Sequence, residues 1–294
     1  MKVFVTGATG FVGSAILPEL LAAGHQVLGY ARTDEAAAKL TAQGAQVQRG
    51  ELTDLASLTA GAKASDAVIH TAFIHDFSKF MENVEIDRLA TIALVEALAG
   101  TGKALITTSG LAFLPPGRLA TEADVPVSPE LPRAAAEEMV IAAAGQGVRS
   151  AVVRLSPSVH GAGDHGFVPR LVALAREKGF AAYVGEGANL WPAVHRLDAG
   201  ALYCLVLEQA PGGLRWHGVA EEGVPMRDIA GAIGQGLNIP VRSLTEAEGA
   251  EYFDWFLRFA CMNVPSSSAA TRKLLGWHPS GPGLLADIRD AGYF

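Results

Sequence analysis

Three glycines at three-residue spacing, Gly7, Gly10 and Gly13, follow the run Val3-Phe4-Val5-Thr6. They precede Ala15, Ile16, Leu17, Leu20 and Leu21, which recur at helical spacing. Strand, turn and helix in that order suit a pyrophosphate. The first glycine permits the tight turn, the second lets the main chain approach the phosphates, and the third lets the helix pack closely on the strand. Free N–H groups and the positive end of the helix dipole then face the anion. Gly7, Thr9, Gly10, Phe11, Val12 and Gly13 are therefore the candidate phosphate cradle. The alternative is a glycine-rich turn between a buried strand and a buried helix. Pro18, beyond the first helical turn, predicts a kink and not a break.

A second group stands about 20 positions past the glycines, where an acidic side chain would bind a ribose 2′-hydroxyl and repel a 2′-phosphate. Ala31 occupies that place and Arg32-Thr33 follow. A guanidinium pairs with a 2′-phosphate through charge-assisted bonds, and the Thr33 hydroxyl adds another. NADPH is expected over NADH, against the alternative of a solvated surface arginine. Glu51 and Leu52, leaving the third strand, are candidates to touch adenine, while Thr53 or Asp54 suits a helix cap.

The elements that must position these groups alternate. Strands are read at Gln26–Ala31, Ala45–Gln48, Ala67–His70, Ala104–Ser109, Ser150–Leu155 and Leu214–Val219. Between the fourth and fifth, Ile86, Leu89, Ala90, Ala93, Leu94, Ala97 and Leu98 fit one face of a helix. Strand and helix in alternation imply a doubly wound parallel sheet of about seven strands, with ligands at the carboxyl ends of the strands. Residues 115 to 132, rich in proline, read as a loop over the site, and Ala134 to Ala144 as a helix of small residues. Past the seventh strand the alternation lapses. The expected organisation is a Rossmann-type domain over 1–160, completed by about 191–220, and a smaller, mainly helical substrate lobe from 161–190 and 221–294. Trp191, Phe253, Trp255 and Phe256 in that lobe favour a hydrophobic or aromatic ligand, or else they form its core.

Half of the 294 residues are hydrophobic and 18% are charged, which suits a compact protein. A net charge of −7 without a basic run argues against nucleic acid and anionic membranes as partners. Cys204 and Cys261 each sit among apolar residues and read as buried free thiols, with neither expected to bind metal. His160 and His165 flank a glycine-rich loop and are read as loop residues, not as a zinc site. With no leader and no apolar run of about 18 residues, the expected location is the cytoplasm.

Thr6-Gly7-Ala8-Thr9-Gly10-Phe11-Val12-Gly13 resembles the Thr-Gly-X-X-Gly-X-X-Gly signature of extended and atypical short-chain dehydrogenases/reductases, the group that includes the sugar-nucleotide epimerases. The likeness continues in Val68-Ile69-His70-Thr71-Ala72, in Asn83-Val84, in Arg154 to Gly161 and in His195-Arg196-Leu197-Asp198. It implies that Thr71, Ala72 and Phe73 line the ribose path, and that Thr107, Pro157, Ser158 and Val159 lie near the nicotinamide. It also implies a homodimer through the two central helices. The family's chemistry uses a serine, a tyrosine acid/base and a lysine four residues after the tyrosine. Ser109 matches the serine. Aligning Ala136-Glu137-Glu138-Met139-Val140 with the helix after the lysine puts Arg133 at the lysine and Pro129 at the tyrosine, and no tyrosine lies between Ser109 and Arg133.

Arginine can bind ribose hydroxyls but stays protonated and shuttles protons poorly. Two functions follow from this departure. One is an NADPH-dependent reductase of a carbonyl or an imine or iminium, with Ser109 and Arg133 as catalytic residues and the proton drawn from His75, Asp76, His160, Tyr183, His195 or water. The other is a redox sensor or partner-binding protein that holds NADP(H) without turnover. A redox-neutral epimerase, which needs a competent acid/base, ranks third.

Overall fold

In the computed structural model, residues 1–76, 79–127 and 132–294 are described. The first half alternates as β1 (Lys2–Thr6), α1 (Gly13–Ala22), β2 (Gln26–Ala31), α2 (Asp34–Ala42), β3 (Gln46–Arg49) and α3 (Leu55–Lys63). It continues with β4 (Ala67–His70), α4 (Phe80–Leu98), β5 (Ala104–Gly110), α5 (Pro132–Ala142) and β6 (Arg149–Leu155). Then come β7 (Ser158–His160), α6 (Phe167–Lys178), β8 (Ala181–Val184), β9 (Leu190–His195), α7 (Arg196–Gln209) and β10 (Leu214–Gly218). The chain closes with β11 (Glu221–Pro225), α8 (Met226–Leu237), β12 (Val241–Leu244), α9 (Glu246–Phe253), α10 (Leu257–Ala260), α11 (Ala269–Leu275) and α12 (Leu284–Asp290).

Among the described residues, seven strands form one parallel sheet in the order β3-β2-β1-β4-β5-β6-β10. Helices cover both faces, so its central strands are apolar throughout and do not alternate: Val3, Phe4 and Val5 are all fully buried. One face packs on α1 and α7, with Val5, Ile16, Leu20, Leu202 and Val206 in a single cluster. The other packs on α4 and α5 through Phe4, Leu94, Leu98, Val140 and Val152. The strand order reverses between β1 and β4, and there the carboxyl ends open a crevice, the usual ligand position in such sheets.

The helix α1 runs through Pro18, which faces solvent. On α4 the buried face keeps Ala90, Ala93, Leu94 and Leu98 of the face read in the sequence but not Leu89. Leu89 is 40% exposed, and Asn83, Asp87 and Thr91 turn inward instead, because Asp87 meets charged and polar partners there.

A further apolar cluster collects residues from α6, β8, β9, α8, α9 and α12, among them Trp191, Phe253 and Phe256, each fully buried. These three are core and not ligand contacts, whereas Trp255 is 47% exposed. Two small sheets join these helices, β11-β9-β7 and β12-β8. Cys204 is buried as expected, but Cys261 is exposed, since it follows the short α10 on the outer side of the aromatic cluster.

Candidate functional site

The glycine loop has the shape that its spacing implied. Gly7 has φ +69°, and a Cβ there would stand 2.7 Å from the Ala72 nitrogen. A Cβ on Gly13 would lie 2.0 Å from the Gly7 carbonyl oxygen, so only glycine lets α1 come this close to β1. No side chain caps the first turn of α1 and no acidic residue lies in it, so its positive end is open to an anion, although the Ser14 and Ala15 N–H groups already donate to the Gly10 and Val12 carbonyls at 2.9 Å. Gly10 is exposed, and Thr9, Phe11 and Val12 are half-buried around it. Thr71 and Ala72 are fastened to this loop: the Thr71 N–H and hydroxyl both donate to the Thr6 carbonyl, at 3.3 and 2.9 Å, and the Ala72 N–H reaches Thr6 Oγ1 at 3.4 Å.

At the end of β2, Arg32 is exposed. Thr33 caps α2, its hydroxyl oxygen accepting from the Ala36 N–H at 3.2 Å. Sequence reasoning missed Arg49. From the end of β3 it donates to the carbonyls of Arg32, at 3.1 Å, and of Thr33, and it pairs with Asp34 at 2.9 Å. The Arg49 guanidinium therefore closes over the Arg32–Thr33 main chain at this rim. The signal lay in the sheet order: β2 and β3 pair with Ala31 opposite Arg49. Glu51 is exposed and Leu52 half-buried beyond the same edge, and the Glu51 carbonyl accepts from the Tyr30 hydroxyl at 2.9 Å.

Between β4, β5, α4 and α5 lies a small pocket where Ser109, Thr107, Arg133, His70, Asp87 and Glu137 converge. His70 bridges Thr6 Oγ1, 2.6 Å from Nδ1, and Asp87 Oδ1, 3.3 Å from Nε2. The Arg133 guanidinium lies over the Phe73 ring at 4.1 Å, a cation–π distance. Its Nη1 stands 3.7 Å from Asp87 Oδ2 and makes no hydrogen bond among the described residues. Ser109 Oγ is buried beside Glu137, close enough to help hold that carboxyl below its usual pKa. Ser109 and Arg133, paired through the family alignment, do meet in one pocket. Pro129, at the tyrosine position, lies outside the described residues.

Glu137 was not singled out as a site residue. Although burial raises its pKa, hydrogen bonds and charge from Arg154, with Arg215 behind, hold the carboxyl below its usual value. Arg154 Nε is 3.0 Å and Arg215 Nε 2.8 Å from the same oxygen. Arg154 also meets His217 Nε2 at 3.3 Å, while His217 Nδ1 faces the Ser267 carbonyl at 2.8 Å. That carbonyl fixes the neutral Nδ1–H tautomer, and burial drives the His217 pKa down to about 4.

On the other side of the crevice, Pro157 is half-buried and leads into β7, where Ser158 is buried and Val159 half-buried. Arg196 and His165 were not assigned a place at the cradle. The Arg196 guanidinium lies 4.8 Å over the Phe11 ring, donates to Ser14 Oγ at 2.8 Å and to the Ala162 carbonyl at 3.0 Å. His165 meets Phe11 edge-on at 5.7 Å.

The proposed proton donors separate. His75 packs edge-on to Phe73 at 5.2 Å, and burial, then the Arg133 charge, lower its pKa. The Asp76 carbonyl accepts from Asn83 Nδ2 at 2.8 Å, a bond at the start of α4. His160 and His195 share the Asp287 carboxylate, at 2.6 and 3.7 Å. Tyr183 packs against the second apolar cluster, away from Ser109.

The cradle at Gly7 and Gly13, the open first turn of α1 and the unpartnered Arg133 Nη1 fit a dinucleotide. The chain is 47% identical to an uncharacterized protein of Schizosaccharomyces pombe over the full length of both. It is 31% identical, over 72% of this chain and 66% of the relative, to the 4-hydroxy-2-methyl-3-oxo-4-farnesyl-3,4-dihydroquinoline-1-oxide ketoreductase of Stigmatella aurantiaca. The NAD-bound dTDP-glucose 4,6-dehydratase DesIV from Streptomyces venezuelae superposes with a TM-score of 0.77, covering 100% of this chain and 96% of that one, at 20% identity. A sequence model of the NAD dependent epimerase/dehydratase family matches residues 3–216, from β1 into β10. With that match spanning the whole parallel sheet, the chain belongs to this family of nicotinamide-nucleotide-dependent oxidoreductases and related enzymes.

Proposed function

We propose that the protein is an NADPH-dependent reductase that acts on a carbonyl, or an imine or iminium, of a small hydrophobic or aromatic substrate without the customary tyrosine. The observation that carries this reading is the pocket at the end of β5. Arg133 Nη1 is buried there without a hydrogen-bond partner among the described residues, the Asp87 carboxylate standing 3.7 Å away, and Ser109 Oγ lines the same pocket beside Glu137. Buried polar groups normally find partners, so a guanidinium donor left without one beside a serine hydroxyl marks a place kept for a ligand. Ser109 donates to the oxygen on which charge develops, and Arg133 holds a ribose hydroxyl and adds positive charge. The bound nucleotide, when present, supplies the reducing equivalent. The proton comes from water; His75, whose pKa burial and the Arg133 charge lower, is a relay for it and not a standing acid.

NADPH is favoured because Arg32 and Arg49 share the rim beyond β2 and no carboxylate stands at Ala31. The second apolar cluster supports assigning residues 161–190 and 221–294 to a lobe that receives the substrate. Exposed Met81 and Leu89 on α4 suit the homodimer face. Among the described residues no helix is long and apolar enough to cross a membrane, and a cytoplasmic location completes the reading.

The test is NADPH oxidation against a panel of hydrophobic ketones, aldehydes and imines. Turnover is expected, and Ser109→Ala should lower kcat by about 10²- to 10³-fold, the usual loss for an oxyanion donor, with NADPH affinity retained. Tight NADPH binding without turnover on any member would overturn the reductase and leave a nucleotide-holding protein.

A further inference from the structure

At the far end of α1 from the phosphate cradle, three side chains of different donor type face one another. Cys204 and Glu208 stand one turn apart on α7, the spacing that puts two side chains on one helix face. His25 lies in the turn between α1 and β2. The two helices touch closely: a Cβ on Gly200 would stand 2.6 Å from the Ala15 carbonyl oxygen. That contact brings His25 Nε2 to 3.2 Å from Glu208 Oε1, and these two atoms with Cys204 Sγ all lie within 4.8 Å of one another. His25 turns Nδ1 to the amino group of Met1, at 3.4 Å, which leaves Nε2 as the atom facing the cluster.

We propose that His25, Cys204 and Glu208 form a binding site for a divalent cation of the zinc class. One nitrogen, one sulfur and one oxygen donor suit a borderline ion and not magnesium or calcium, which take oxygen. Nitrogen and oxygen ligands about 2.0–2.1 Å from a tetrahedral zinc ion stand roughly 3.3–3.4 Å apart, and the His25–Glu208 separation already matches. Sulfur would sit about 3.6 Å from either, a closure within the reach of the Glu208 and Cys204 rotamers. Binding displaces the thiol proton to solvent, so thiolate and carboxylate together neutralise the 2+ charge. The His25 and Cys204 side chains are shielded while Glu208 is 38% exposed, so the ion enters past the carboxylate and keeps a fourth position for water. With ten residues, about 15 Å of helix, between cluster and cradle, the ion takes no part in the chemistry. It pins the phosphate-binding helix to α7.

The experiment is Co²⁺ titration of chelator-stripped full-length protein, with zinc as competitor. A thiolate-to-cobalt charge-transfer band should saturate at one equivalent and vanish on adding zinc, and the melting temperature should rise with either ion. Glu208→Gln, at a partly exposed position, should fold and weaken Co²⁺ binding at least about tenfold. Cys204→Ser should abolish the band, and Cys261→Ser should leave it intact. Absence of the band in the wild type, its survival in Cys204→Ser, or unchanged affinity in Glu208→Gln would each overturn the site. None of these readouts depends on the reductase reading.

Discussion

Arg49 shows how a single residue changes meaning once its neighbours are known. In the sequence it is an ordinary charge at the end of a short polar strand, but its bonds to the Arg32 and Thr33 carbonyls bring its guanidinium to the main chain at the end of β2. If it and Arg32 both face a 2′-phosphate, Arg32→Ala and Arg49→Ala should each weaken NADPH by about 1.5 to 3 kcal/mol, typical of a charge-assisted bond. NADH affinity should stay nearly constant in both. Isothermal titration with the two nucleotides makes the comparison, and equal losses would remove the phosphate assignment. His217 makes a prediction in pH. Its folded pKa is depressed from 6.5 to about 4, so the unfolded chain takes up a proton that the folded chain refuses. This contribution to stability is complete above about pH 6.5 and is lost as pH falls toward 4. His217→Gln should flatten the dependence of melting temperature on pH in that window, most visibly between pH 6 and 5 by thermal denaturation.

Among the elements, the βα units were legible because their signals are local: strand residues buried on both faces, a glycine turn, then helical spacing. Gly13 gives the sharpest check. Gly13→Ala forces its Cβ onto the Gly7 carbonyl, so the loop has to open, and nucleotide binding should fall by more than about tenfold while melting drops by several degrees. Fluorescence titration and calorimetry read the two effects separately. The α4 face was read only in part, because its period was taken from apolar residues alone. The buried stripe carries Asn83, Asp87 and Thr91, polar groups whose partners come from elsewhere in the chain. Short β7 and β9 were not read as strands, since what makes them a sheet is mutual pairing, Ser158 opposite Ala193, and no local pattern announces it. The cluster of His25, Cys204 and Glu208 was hidden for the same reason, with His25 and Glu208 183 positions apart.

For the whole molecule, the fold class was legible in the alternation of strands and helices, whereas the second apolar cluster was blurred. Aromatic side chains look alike whether they await a ligand or fill a core, and only burial separates Trp191, Phe253 and Phe256 from Trp255. The pocket at Ser109 was legible through its serine, but Glu137 and its arginines were not, because three elements supply them.

The Arg196 side chain, finally, stitches two distant parts of the chain over the entrance to the cradle, from the Ala162 carbonyl across Phe11 to Ser14. If a dinucleotide sits beneath that stitch, its departure requires the Arg196 contacts to open, and its residence time then depends on Arg196 as well as on the phosphate contacts. Arg196→Ala should speed nucleotide dissociation in stopped-flow displacement while changing the association rate little. If release limits turnover, the variant would cycle faster than its parent.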